Sequence, residues 1–308
     1  MQTTSGRLKG VLAPVLTPFD AHKTPDPVRF VRLSKWLVGQ GCGLAMFGTN
    51  SEGNSLSTEE KIDLLQHVVD AGIPPASMLP GTGSCSLTDA VKLTQKALEF
   101  NCAGVLALPP FYYKAVTDDG LFAFYSELIE RVGDDRLRIY LYHIPPVAQV
   151  GFSHALVERL LKRYPVVIAG MKDTGGDWAY TSKTIELFSN DGFDVFAGSE
   201  SILLKTMRAG GAGCISALAN VNPAQIVQLF NGWEEAQAES QQKHLNLIRE
   251  KFSSYPLIAA MKSAIAQATD DPQWAQLRPP LLPLDLSQQK TLHESLNSIS
   301  FEIRNLNS

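Results

Sequence analysis

Residues 166–174 read VVIAGMKDT and set a single lysine near the end of an otherwise apolar run. A run of this length, rich in Val and Ile, predicts a strand buried on both faces, where lysine is seldom placed. Burial disfavours an ammonium ion, and an amine held neutral is a nucleophile toward carbonyl carbon. Lys172 therefore reads in one of two ways. It is a Schiff-base nucleophile, or it lies just past its strand and snorkels to water or pairs with Asp173.

Similar apolar runs recur on both sides of it, about every thirty residues, separated by segments of helical periodicity. Before it stand GVLAPVL (10–16), GLAMFG (43–48), SMLPGTG (77–83), GVLALPP (104–110) and RIYLYHI (138–144). After it come FDVFAG (193–198) and GCISALA (213–219). Eight strand candidates alternating with helices predict an α/β fold of the TIM (β/α)8 barrel type. Caps and apolar stripes mark helices after Ser57, over 86–101, 117–132, 153–163, 177–189 and 199–209. After Asn220 the alternation stops, and a helical tail broken at Pro256, Pro272 and PPLLPLD (279–285) follows. The expected organisation is a barrel over 7–221 with additional C-terminal helices over 222–308 packed on it as one structural unit.

Composition sets the functional class. The 308 residues are 44% hydrophobic and 19% charged, with net charge -4 and a pI near 5.9. There is no basic footprint for nucleic acid or an anionic membrane, so small molecules are the expected partners. No apolar run approaches membrane-spanning length and no export signal is read. Cys42, Cys85, Cys102 and Cys214 are scattered, which suits reduced, buried thiols and a cytoplasmic location. The six histidines form no metal-binding spacing, and AGGAG (209–213) lacks the dinucleotide fingerprint, so neither a metal nor an organic cofactor is expected.

In a barrel, catalytic residues sit where strands end. Tyr142 and His143 close the fifth run and face opposite ways by the strand period of two. A phenol beside an amine is a proton shuttle for iminium chemistry, although a core tyrosine with a satisfied hydroxyl fits the same pattern. The second run ends in GTNSEG (48–53), whose backbone N–H groups and Thr49 and Asn50 side chains can receive a carboxylate, with Glu52 bracing the loop. PPFYYK (109–114) adds adjacent aromatics that serve packing or an oligomer contact equally well.

Together these residues, with YHIP at Tyr142, GMKDT at Gly170 and GGAGCIS at Gly210, resemble the dihydrodipicolinate synthase and N-acetylneuraminate lyase family over about 7–300. The resemblance implies a class I pyruvate-dependent aldolase or lyase, usually a homotetramer built from tight dimers. It implies that Lys172 is the Schiff-base lysine and Tyr142 the general acid/base. Thr49 and Tyr113 match proton-relaying hydroxyls, with Tyr113 where the family reaches across a dimer interface. Asn50 stands where the family commonly has a threonine that holds the pyruvate carboxylate, and Ser51 replaces a common glycine. His143 replaces a common asparagine. Val147 stands where synthases acting on aspartate semialdehyde carry an arginine, and an aliphatic side chain cannot pair with that substrate's carboxylate. Thr174, Gly198, Ser199, Glu200 and Ser216 lie where family lyases contact the polar part of their substrate.

The expected activity is reversible cleavage or condensation of a 2-oxo acid to pyruvate plus an aldehyde. Two enzymatic alternatives are condensation with aspartate semialdehyde and dehydration of a 2-oxo-3-deoxy sugar acid through the same iminium. A non-catalytic barrel that binds an oxo acid is the alternative of another class, and it would need neither Lys172 nor Tyr142.

Overall fold

The structure, a computed structural model, describes residues 7–306. Strand β1 (Gly10–Ala13), helix α1 (Pro27–Gly39), β2 (Gly43–Leu44) and α2 (Thr58–Asp70) come first. There follow α3 (Leu87–Glu99), β3 (Val105–Ala107), α4 (Asp118–Val132), β4 (Ile139–His143), the short α5 (Pro145–Ala148) and α6 (His154–Arg163). Next are β5 (Ile168–Asp173), α7 (Trp178–Phe188), β6 (Asp194–Ala197), α8 (Leu203–Arg208) and β7 (Gly213–Ile215). Helices α9 (Pro223–Asn231), α10 (Ala238–Ser253), α11 (Leu257–Thr269) and α12 (Leu286–Asn297) come last. Contacts divide the chain into two compact units. One is Pro74–Ile215 with the segment ending at Gly10, and the other is Val11–Ile73 with the stretch from Ser216 onward.

In the first unit β3, β4, β5, β6 and β7 pair in sequence order, all parallel. Tyr142 stands opposite Lys172 and His143 opposite Asp173 on β4 and β5, while Lys172 faces Phe196 on β6. The strand period then sorts side chains into two layers. Ile139, Leu141 and Met171 pack into a core with Leu121, Tyr125 and Leu128 of α4, Leu156 of α6 and Ile185 of α7. Tyr140, Tyr142 and Lys172 alternate with them and face the other way. The helices begin at side-chain caps, Ser86, Thr117, Ser153 and Asp177, each accepting a backbone N–H of the first turn. Each such cap is worth about 1 kcal/mol.

The strands must approach closely for this register to form. A Cβ at Gly170 would stand 2.2 Å from the Asp194 carbonyl oxygen and 2.8 Å from the Tyr140 ring. Gly170→Ala is therefore expected to destabilise the fold by about 1–3 kcal/mol, read as a lower urea midpoint at unchanged slope.

The second unit pairs β1 with β2 in parallel, Leu12 opposite Gly43 and Ala13 opposite Leu44. Helix α2 begins with a reciprocal cap, in which Ser57 Oγ accepts the Glu60 N–H and the Glu60 carboxylate accepts the Ser57 N–H. The tail is helical and breaks as its prolines require, with Pro256 ahead of α11 and Pro272 opening a 3₁₀ turn.

Two expectations need correction. The run at 77–83 forms no strand. It makes only isolated bridges at Met78 and Gly81, the latter parallel to Leu106, because Pro80 contributes only its carbonyl, which accepts the Leu106 N–H. Cys85 is exposed, whereas Cys42 and Cys214 are buried and Cys102 is half-buried. Burial pushes the Cys42 and Cys102 thiols up to about 12.

Candidate active site

Lys172 is 1% exposed and lies within β5, so it does not snorkel to water. Its Nζ stands 4.2 Å from the centroid of the Tyr142 ring, over the π-face of the residue paired with it on β4. Asp173 does not pair with it. That carboxylate points to the helix side, where it accepts the Gly175 N–H at 2.7 Å and the Thr181 hydroxyl at 2.5 Å and so fixes the start of α7. Lys172 forms no ion pair among the described residues. A buried amine without a carboxylate beside it, stacked on a buried phenol, is a nucleophile with a proton carrier at hand.

The strand ends around it are laced together. The Thr174 N–H donates to the His143 carbonyl at 2.7 Å and the Gly198 N–H to the Asp173 carbonyl at 2.7 Å. Gly198 has to be glycine, since a Cβ there would lie 2.1 Å from Thr174 Oγ1. The Thr174 hydroxyl is buried and has no hydrogen-bond partner among the described residues, which makes it a donor and acceptor open to a bound molecule. Ser199 Oγ lies 2.8 Å from Ser201 Oγ, and Glu200 is buried at the start of the turn leading into α8.

The other residues singled out in this unit lie elsewhere. Tyr113 is 74% exposed and edge-on to exposed Tyr112, and Val147 is 61% exposed on α5. His143 turns to the helix side, where its ring stacks on Tyr180 at 4.3 Å between centroids. A cleft of about 790 Å³ opens at the opposite end of β5, lined by Arg7, Arg138, His154, Val166 and Ile168 among others, and contains none of these residues.

In the second unit the GTNSEG loop is a strained turn. Phe47 has φ 63° and Glu52 φ 54°, both left-handed, and a Cβ on Gly53 would fall 2.0 Å from the Phe47 carbonyl oxygen. The N–H groups of Ser51, Glu52 and Gly53 donate within the loop to Gly48 and Thr49 carbonyls. Fewer of them face outward than expected, and the Asn50 amide and the Ser51 hydroxyl, which is buried with no hydrogen-bond partner among the described residues, are side-chain donors that remain. Thr17 Oγ1 donates to the Ser51 carbonyl at 2.6 Å, and the Ser216 N–H to the Leu12 carbonyl at 3.2 Å. Buried Asn220 holds the Leu16 N–H and the Pro14 carbonyl at 3.0 Å each.

Glu52 braces this loop through a partner that the sequence reading missed. Its carboxylate takes the ammonium of fully buried Lys262 on α11 and the Arg278 N–H, and Lys262 also donates to the Gln276 carbonyl. Burial pulls the Lys262 amine down to about 8 against the opposing pull of Glu52. Among the described residues no group of three or more His, Cys, Asp or Glu is placed to hold a metal ion, and no helix is long and apolar enough to cross a membrane.

A profile described as the Dihydrodipicolinate synthetase family matches residues 7–299. The chain belongs to that family. An uncharacterized DapA-like lyase of Chloroflexus aurantiacus is 29% identical over 294 residues, covering 94% of this chain and 97% of that protein. The crystal structure of dihydrodipicolinate synthase from Agrobacterium tumefaciens superposes with a TM-score of 0.87 at 27% identity, covering 95% of this chain and 100% of that one. That of YagE, a prophage protein of the same family from Escherichia coli K12 in complex with pyruvate, gives 0.86 at 26%, covering 95% and 99%. The fold class is accordingly the TIM (β/α)8 barrel with additional C-terminal helices, and the protein is an enzyme, a lyase of the aldolase kind.

Proposed function

We propose that the protein forms a Schiff base between Lys172 and a 2-oxo acid and reversibly cleaves it to pyruvate plus an aldehyde. The observation that carries this reading is the buried Lys172 amine over the Tyr142 ring, 4.2 Å from its centroid. The pyruvate complex of YagE supports the substrate class.

The Lys172 amine adds to the C2 carbonyl, and loss of water gives the iminium. The C3–C4 bond then breaks, its electron pair moving into the iminium to leave an enamine. The C4 hydroxyl passes its proton to the Tyr142 phenolate, left when that phenol protonated the departing water, as the aldehyde is released. Protonation of C3 and hydrolysis return pyruvate and the free amine. In this scheme Asn50 binds the pyruvate carboxylate, Thr49 and Tyr113 relay protons, and Thr174, Gly198, Ser199, Glu200 and Ser216 meet the polar part of the substrate. The covalent adduct on Lys172 takes the place of a cofactor. The exposure of Tyr113 suits a hydroxyl offered to a second copy in a cytoplasmic homotetramer. Val147 supplies no cation where synthases carry their arginine, which favours an aldehyde other than aspartate semialdehyde over that alternative.

Borohydride added with pyruvate is expected to fix a reduced pyruvate adduct on the peptide containing Lys172, read by intact and peptide mass. An unmodified Lys172 would sink the reading. Efficient turnover of aspartate semialdehyde with pyruvate would establish the synthase alternative instead.

A further inference from the structure

Tyr142 is followed by a connection, 144–152, that returns to the residue beside it. His143 Nδ1 accepts the Phe152 N–H at 3.1 Å, and Tyr180, stacked on the His143 ring, donates its hydroxyl to the Phe152 carbonyl at 2.7 Å. The stacked pair thus grips both backbone groups of one residue. Gly151 lies against the imidazole so closely that a Cβ there would be 2.9 Å from its Cε1. The same connection accepts Lys114 Nζ on the Ala148 carbonyl at 3.1 Å, and Lys114 also holds the Phe111 carbonyl at 2.6 Å, next to Tyr112 and Tyr113.

We propose that His143 is a positioning residue for carbon–carbon bond making and breaking. Its Nδ1 latches 144–152 beside Tyr142, so capture of the aldehyde partner requires a neutral imidazole while iminium formation on Lys172 does not. This rests on the Schiff-base reading above. The separation follows from geometry, because Lys172 and Tyr142 are held by the β4–β5 ladder whatever the connection does. An imidazole that accepts at Nδ1 carries its proton on Nε2, and a second proton would convert the acceptor into a donor and break the bond to Phe152.

The groups around the ring set the direction. Burial lowers the His143 pKa from its ordinary 6.5, Asp173 on β5 opposes this, and His154 on α6, stacked on the far face of Tyr180, adds to it. The Tyr180 phenol of α7 is pushed up by burial and stays protonated. Asp118 of α4 is bound to Ser153 Oγ, and Lys114 is committed to the two carbonyls above. With the folded value below 6.5, the native state binds fewer protons than the unfolded chain in that window. The latch is complete above about pH 6.5 and is lost as pH falls.

The test compares wild type with His143→Asn, whose Oδ1 replaces Nδ1 as acceptor but does not titrate. Hydrogen exchange of 144–152, corrected for intrinsic rate, is followed from about pH 7.5 down to 5 around the histidine range. Roughly fivefold loss of protection is expected in wild type and none in His143→Asn, with β4 protected in both. With pyruvate and glyceraldehyde as the probe pair, the KM for glyceraldehyde is expected to rise toward low pH in wild type only, while borohydride trapping of pyruvate alone stays equal. Exchange that is flat in wild type, or a pH profile shared by both proteins, overturns the proposal. Failure to trap pyruvate in wild type overturns the Schiff-base reading instead.

Discussion

Replacing Lys172 with methionine is expected to lower kcat by about 10⁴-fold or more and to abolish the borohydride-trapped pyruvate adduct. Methionine suits the test because the site is 1% exposed, so an apolar chain of similar length fills the same space without burying a new charge. The denaturation midpoint is expected to hold or rise. Two measurements separate the outcomes: pyruvate release from a 2-oxo acid, and peptide mass after reduction. Substantial turnover by a folded Lys172→Met protein would place the nucleophile elsewhere, whereas loss of turnover with loss of the fold would call for Tyr142→Phe in its place.

The second large effect belongs to stability. Lys262→Met leaves the buried Glu52 carboxylate with the Arg278 N–H and no ammonium to meet it. Breaking one side of a buried pair costs about 3–5 kcal/mol, much of it the desolvation of the charge left behind. Urea unfolding should show that loss in Lys262→Met, and the double variant Lys262→Met with Glu52→Gln should recover a large part of it. A single variant as stable as wild type would mean that water reaches Glu52. Because Glu52 is a left-handed residue of the 48–53 loop, the same substitution is expected to raise the KM for pyruvate.

Several of these features are legible in the sequence. Apolar runs bounded by Gly and Pro mark each strand end that carries an unusual residue, and the alternation along RIYLYHI sends Tyr142 and His143 to opposite faces. Ser57, Ser86, Thr117, Ser153 and Asp177 mark helix starts because their side chains bond locally. What escapes the sequence depends on distant partners. SMLPGTG carries a strand's apolar pattern but has Pro80 where a donor is needed. Helix α1 carries its own local start signals, Asp26 as cap and Pro27 in its first turn. Lys262 sits in LIAAMKSAIA (257–266), the same anomaly as Lys172, a lone lysine in an apolar stretch. Its meaning emerges only once Glu52, 210 residues away, is brought to it. The grip of His143 and Tyr180 on Phe152 likewise joins three elements whose spacing carries no motif.

The place of Lys172 inside a strand, between Tyr142 and Phe196, also fixes when its disorder is removed. A free lysine chain loses rotamer entropy worth about 2 kcal/mol when it is held in one position. On a mobile loop that loss would fall on each encounter with substrate. Here it falls once, as the chain folds, so an arriving carbonyl finds an amine already aimed and the barrier to addition carries no ordering cost from the nucleophile.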